Sequence, residues 1–271
     1  KKQYYTLVSE FMLQQTQVAT VIPFFNRFIK NIPDLEALAN FDNHKLIKLW
    51  EGLGYYSRVR NLKKTAQIVV KNFDKKLPRK YLDLKSLPGI GDYTASAISA
   101  IAFNKRIIPL DGNIERVLKR YLYLKKENEI NKENLIKKKK IFGYSNRASD
   151  YAQALMELGA LICKPNNPHC EQCPISNKCI ALKKKDFLLT KIKKKNNNKY
   201  YLLKVYKDKS KYLLIKNTKF NFLKNFSIFP MQELSKPLSS TDIVNFKMSN
   251  MNMNIKIEHK NKVGSLPTSH W

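Results

Sequence analysis

Four cysteines, the only ones in the chain, stand in one short segment with the spacing Cys163-x6-Cys170-x2-Cys173-x5-Cys179. Four thiolates this close can satisfy one tetrahedral metal ion or one cubane cluster, and an all-cysteine set suits zinc and iron–sulfur alike. Spacing leaves both open. Disulfides are the weaker reading, because no cysteine lies elsewhere in the chain to be stapled.

Two carboxylates lie in contrasting settings. Glu10 sits in Ser9-Glu-Phe-Met-Leu-Gln-Gln-Thr-Gln17, beside Leu7, Phe11 and Met12 on a predicted buried helix. An acid among apolar neighbours tends to hold its proton. Asp111 follows Ile107-Ile-Pro-Leu110 and precedes a helical run from Ile114 to Leu122, which predicts a helix N-cap. Between them, Leu87-Pro-Gly-Ile-Gly-Asp-Tyr-Thr-Ala95 reads as a tight hairpin whose successive N–H groups can face one phosphate. Such contacts place a protein on nucleic acid and read no sequence.

The elements that must position these residues are helical. Val18, Val21, Ile22, Phe25, Phe28 and Ile29 recur at helical spacing, with Pro23 expected to begin a second part of that element. Asn43 precedes Leu46, Ile47, Leu49 and Trp50, and Gly52 follows as a stop. Val59, Leu62, Ala66, Val69 and Val70 form another core stripe. Residues 183–199 are polar, basic and low in complexity, and read as a linker. Beyond them, Tyr200–Tyr206 and Tyr212–Ile215 flank Asp208-Lys-Ser-Lys211 as an expected β-hairpin in a small second domain, 200–271.

A formal net charge of +30 over 271 residues points to a polyanionic partner. No apolar run approaches the ~18 residues of a membrane span, so nucleic acid is favoured over a bilayer. Lysine far outnumbers arginine and glycine is scarce at 8, a usage that AT-rich codons produce. The lysines therefore argue for salt-sensitive attraction to DNA and not for any single contact.

The cysteine spacing resembles the [4Fe–4S] loop of DNA glycosylases of the endonuclease III and MutY type. Leu87-Pro-Gly-Ile-Gly91 and Leu110-Asp-Gly-Asn-Ile-Glu-Arg-Val117 resemble two further motifs of that superfamily, in the same order. The resemblance runs from about Tyr4 to Leu182. It implies a mainly α helix–hairpin–helix fold over 1–182, with the iron–sulfur loop at 163–179 and a shortened, Nudix-like α+β domain at 200–271.

Within the superfamily, Ser-Glu-x-Met-Leu-Gln-Gln-Thr and Asp-Gly-Asn are similar to the MutY branch. That resemblance makes Glu10 the acid that protonates adenine N7 and Asp111 the carboxylate that stabilises the sugar cation. Acid and anion together form the pair that an oxocarbenium-like displacement needs. Gln15, Thr16 and Leu53, with Tyr55 in the same Gly52–Tyr56 loop, are implied around an 8-oxoguanine opposite the target. Glu157 is implied at the adenine edge, Tyr93 and Asn113 near the sugar, Gly89 and Gly91 at a phosphate, and Ser249 against the oxidised guanine. The endonuclease III branch carries a lysine where Tyr93 stands, and a phenol cannot form an imine, so a glycosylase without strong lyase activity is expected.

Some features depart from the branch. The chain opens a few residues before Ser9-Glu10, without the Leu-Pro-Trp-Arg segment that walls the adenine pocket in MutY. Glu115 stands where some MutY proteins carry a lysine. The reading is a monomeric bacterial enzyme, cytoplasmic and nucleoid-associated, that removes adenine from A·8-oxoG or A·G pairs in double-stranded DNA. Its alternatives are an endonuclease III-like glycosylase/lyase for oxidised pyrimidines and a mispair-binding remnant without efficient catalysis.

Overall fold

Apolar residues three and four positions apart give α1 (Lys2–Leu13) one buried face, on which Leu7, Val8, Phe11 and Met12 are completely covered. This helix belongs to a computed structural model that describes residues 2–188, 197–224, 226–236, 243–248 and 251–260. The chain divides into two units, Lys1–Thr190 and Lys191–Trp271, and the division falls inside the segment read as a linker. Residues Asp186 and Phe187 of that segment pack within the first unit: Tyr123 Oη donates to Asp186 at 2.7 Å, and Arg120 Nε to the Phe187 carbonyl at 3.3 Å.

Around α1 stand α2 (Val18–Asn31), α3 (Leu35–Asn40), α4 (Asn43–Leu49), α5 (Ser57–Asn72), α6 (Tyr81–Ser86) and α7 (Asp92–Ile101). Their shared core includes Phe11, Phe28, Leu38, Trp50, Leu62, Leu84 and Ile98. Helix α2 runs unbroken through Pro23. Pro23 and Ala19, whose carbonyl loses its helical partner, are both exposed, so water can serve that oxygen. The buried face of α2 centres on Val21 and Phe28, and Val18 and Ile22 fall beyond its edge, more than half exposed. The cap of α4 is Asp42, accepting from Lys45 N at 2.8 Å, while Asn43 is the first helical residue.

The rest of the first unit holds α8 (Gly112–Tyr121), α9 (Lys132–Lys138), α10 (Ala148–Glu157) and α11 (Ile180–Lys183). A π-helical turn at Leu158–Ile162 leads α10 into the cysteine loop. Two smaller cores form here, one of Leu118, Leu124, Ile130 and Leu135 and one of Ile108, Ile114 and Leu155. Helix α8 contributes to both.

In the second unit, β1 (Asn197–Asp208) is central. It pairs in parallel with β7 (Met251–Lys260), and antiparallel with β5 (Met231–Leu234) and with β2 (Lys211–Tyr212). Strand β6 (Ile243–Met248) lies antiparallel on β7, and β3 (Ile215–Lys216) pairs with β4 (Ser227–Ile228). The expected hairpin is thus limited to two residue pairs at the end of β1 and one further bond, from Leu213 N to the Tyr206 carbonyl at 3.1 Å. Tyr201, Phe220 and Met253 form the core of this unit. Among its described residues there is no α-helix. No described helix of the chain is long and apolar enough to cross a membrane.

The two hairpin glycines differ. Gly89 has φ +78°, and a Cβ there would stand 2.8 Å from the Phe11 ring and 2.9 Å from Asn61 Cβ. Gly91 caps α7 at φ −91°, where a Cβ would meet open space. Gly89→Ala should therefore lower stability by about 1–3 kcal/mol in urea unfolding, from strain plus overpacking. Gly91→Ala should leave the unfolding midpoint nearly unchanged, because its methyl enters open space.

Candidate active site

Burial decides the state of Glu10. The side chain lies on the covered face of α1, is 4% exposed, and its Oε2 is buried without a hydrogen-bond partner. Desolvation is the largest influence and raises its carboxyl from 4.5 to about 7; a hydrogen bond from Tyr93 opposes this, and the nearby charge of Asp111 adds to it. The Tyr93 hydroxyl donates to Glu10 from the first turn of α7, and burial, then the charges of Glu10 and Asp111, push the phenol well above its usual range. Glu10, Tyr93 and Asp111 thus form one electrostatic cluster drawn from α1, α7 and the start of α8.

Asp111 is the N-cap of α8, its Oδ1 accepting from Ile114 N at 2.7 Å. That bond fixes the carboxylate at the positive end of the helix. One turn in, Arg116 Nη2 donates to Asn113 Oδ1 at 2.9 Å, and Arg116 Nε to the Cys163 carbonyl at 2.8 Å. Arg120, a further turn along, donates to the Lys164 and Pro165 carbonyls at 2.6 and 2.7 Å and stands 3.4 Å from Cys163 Sγ. The same helix therefore carries Asp111 at one end and clamps the entry of the cysteine loop at the other.

All four cysteines are free and half-buried. They line one cavity with Arg120, His169 and Phe187. Burial pushes the Cys170 and Cys173 thiols up, and the charges of the neighbouring cysteines add to this. Among the described residues no three His, Cys, Asp or Glu side chains converge tightly enough to hold a single ion. Four sulfur donors around a shared space, with a guanidinium to offset their charge, fit a multi-iron cluster.

The remaining predicted residues are dispersed. Gln15 is exposed at φ 59°, and Thr16 Oγ1 accepts from Arg58 Nη1 at 3.0 Å. Leu53 is packed in the core at 6% exposure, so in the free chain Tyr55, 56% exposed, is the side chain its loop presents. Glu157 is exposed at the end of α10, beside an apolar cavity formed by Tyr121, Phe142, Tyr151 and Leu161, and neither Glu10 nor Asp111 reaches that cavity. Two turns earlier on α10, Ser149 accepts from Lys2 Nζ at 3.3 Å and is bonded by Gln153 Nε2. Ser249 lies outside the described residues.

Sequence reasoning missed Arg58, Arg116 and Arg120. Arg58 and Arg120 are buried and Arg116 is half-buried, and burial pulls the Arg58 and Arg116 guanidiniums below their usual range. Helical spacing of Arg116 and Arg120 one turn apart, on a helix otherwise presenting apolar residues to two cores, was the available signal.

Geometry of this kind defines a helix–hairpin–helix base-excision protein, and residues 8–140 match the family model of the HhH-GPD superfamily base excision DNA repair proteins. A thermostable thymine-DNA glycosylase superposes with a TM-score of 0.60 at 26% identity, over 68% of this chain and 85% of that one. A trapped endonuclease III–DNA covalent intermediate shares the fold, with a TM-score of 0.57 at 22% identity.

Curated relatives narrow the branch. The adenine DNA glycosylase of Buchnera aphidicola subsp. Baizongia pistaciae is 40% identical over 82% of this chain and 59% of its own length. That of Buchnera aphidicola subsp. Schizaphis graminum is 37% identical over 85% and 68%, and that of Homo sapiens 39% identical over 67% and 34%. The chain belongs to the adenine DNA glycosylase family, and spans about three fifths of the first of these relatives.

Burial of Glu10 has a linkage consequence. Between 4.5 and about 7 the folded state holds a proton that the unfolded chain has released. Stability from this group is therefore fully present below the lower value and is lost as pH rises through the upper one. Asp42, Asp92, Glu129 and Asp186 are shifted downward, so their contributions change at lower pH and are common to parent and variant. Glu10→Gln should gain stability over the parent by about 2–3 kcal/mol at most on moving from about pH 5 to about pH 8, read by urea unfolding.

Proposed function

We propose that this protein is an adenine-DNA glycosylase that hydrolyses the N-glycosidic bond of adenine paired with 8-oxoguanine or guanine. The observation that carries the reading is a buried, proton-holding Glu10 beside an N-cap Asp111, in a chain whose relatives are named for adenine excision. Adenine turned out of the duplex meets Glu10, which gives its proton to N7. The bond from the sugar to the base breaks, and its electron pair leaves with the base. Asp111 stabilises the cation left on the sugar until water adds to it, and the proton released by that water returns to Glu10.

Tyr93 supplies no amine, so the reaction stops at the abasic site and the enzyme is monofunctional. Gly89 and Gly91 place the hairpin amides against a backbone phosphate. Gln15, Thr16, Leu53 and Tyr55 attend the opposite base, Asn113 stands near the sugar, and Ser249 belongs to the Nudix-like module. A single chain acting on double-stranded DNA suffices for this chemistry.

Cys163, Cys170, Cys173 and Cys179 would hold a [4Fe–4S] cluster. When bound, the cluster supplies a covalent cross-link for its loop and a site for electron transfer. Protein purified without oxygen should be brown and contain about four irons per chain. A colourless, folded, zinc-loaded protein contradicts this assignment.

Single-turnover excision on an A·8-oxoG duplex tests the reaction itself. Glu10→Gln keeps shape but cannot deliver a proton, and the rate should fall by ~10²–10⁴-fold. Asp111→Asn should be similarly impaired, while both variants still bind the duplex. Borohydride should trap little covalent complex on abasic DNA, and efficient trapping favours a lyase. Binding without excision by the unaltered chain favours the mispair-binding remnant.

A further inference from the structure

Two loops leave the helical core from distant parts of the first unit: residues 14–17 follow α1, and residues 50–56 join α4 to α5. They carry Gln15, Thr16, Leu53 and Tyr55. Both are anchored by one buried side chain. Arg58, 6% exposed near the start of α5, places Nη1 3.2, 2.6 and 2.6 Å from the carbonyls of Phe11, Met12 and Gln14, and 3.0 Å from Thr16 Oγ1. Its Nη2 lies 2.9 and 3.3 Å from the carbonyls of Leu53 and Gly54. The guanidinium also stands 5.5 Å from the Trp50 ring and 5.6 Å from that of Tyr55.

These partners are not interchangeable. Phe11 and Met12 belong to the last turn of α1, whose carbonyls lack intrahelical donors and form the negative end of the helix. A cation there completes the same helix that carries Glu10. Gln15 at φ 59° and Tyr55 at φ 46° hold the left-handed conformation, which side-chain-bearing residues seldom adopt unless the surroundings enforce it. The planar fork of arginine can serve both loops at once, and a lysine ammonium cannot reproduce it.

We infer that Arg58 is a positioning residue that joins the two loops into one unit for reading the base opposite the excised adenine, and ties that unit to the helix bearing Glu10. The inference rests on the adenine-glycosylase reading above. Without the fork, each loop can relax separately, and the preference for the correct opposite base declines while general DNA attraction persists.

The test compares the parent with Arg58→Lys, Thr16→Val and Val69→Ala. Val69 is buried further along the same helix and its truncation leaves a cavity without touching either loop. Two readouts are taken: hydrogen exchange at residues 13–17 and 50–56, and affinity for duplexes holding a cleavage-resistant 2′-fluoro adenosine opposite 8-oxoguanine or thymine. Arg58→Lys should speed exchange in both loops together and reduce the 8-oxoguanine preference on the order of tenfold, within the usual range of coupling between sites. Thr16→Val, which touches neither Leu53 nor Gly54, should still speed exchange at 50–56, so the inference stays testable if Arg58→Lys does not fold. Val69→Ala should lose stability and keep the preference. Exchange confined to one loop, an unchanged preference in Arg58→Lys, or an equal loss in Val69→Ala overturns the inference. A parent that excises no adenine counts against the glycosylase reading, and the exchange arm still judges the clamp.

Discussion

A carboxyl oxygen sealed from water and given no donor makes ionisation of its group unfavourable, and Glu10 carries such an oxygen. Much of the first unit can be understood as what keeps that oxygen covered while leaving Asp111 close by. Glu10 shares α1 with Leu7, Phe11 and Met12, all completely covered. The hydrogen bond from Tyr93 favours the charged form, and burial outweighs it. Asp111 arrives from a separate core, fixed by the helix it caps. One carboxylate thus lies in a dry pocket and the other at a helix N-terminus.

The same helices link the Glu10–Asp111 pair to the hairpin and to the cysteine loop. Gly89 lies so close to Phe11 that no side chain fits between them, and Gln14 Nε2 donates to the Gly89 carbonyl at 3.3 Å. The hairpin is therefore braced directly on the helix of Glu10. On the other side, Arg116 and Arg120 connect the helix of Asp111 to the cysteine loop. A cluster bound by the four cysteines would cross-link this support.

Local chemistry explains which features were legible in the sequence. Cysteine spacing, the glycines of the hairpin, the acid among apolar residues and the cap before a helical run are all written within about ten residues. What escaped depends on partners far apart in the chain. Arg58 reads as an ordinary basic residue until the ends of α1 and of the 50–56 loop are brought to it. The parallel pairing of β1 with β7 joins residues more than fifty positions apart, so the short hairpin at Asp208–Lys211 seemed the dominant contact. Leu53 and Glu157 were placed by motif alone. Which side of the loop or helix each occupies follows from packing, which covers the first and turns the second toward a different cavity.

The central claim is that Glu10 remains a neutral acid close to neutral pH because of where the fold places it. Carbon-13 NMR of glutamate-labelled protein, with Glu10→Gln used to assign the signal, follows that carboxyl through its titration. The account predicts a midpoint at about 7. A midpoint near the ordinary glutamate value of about 4.3 would show a carboxylate already ionised under working conditions, and would contradict it.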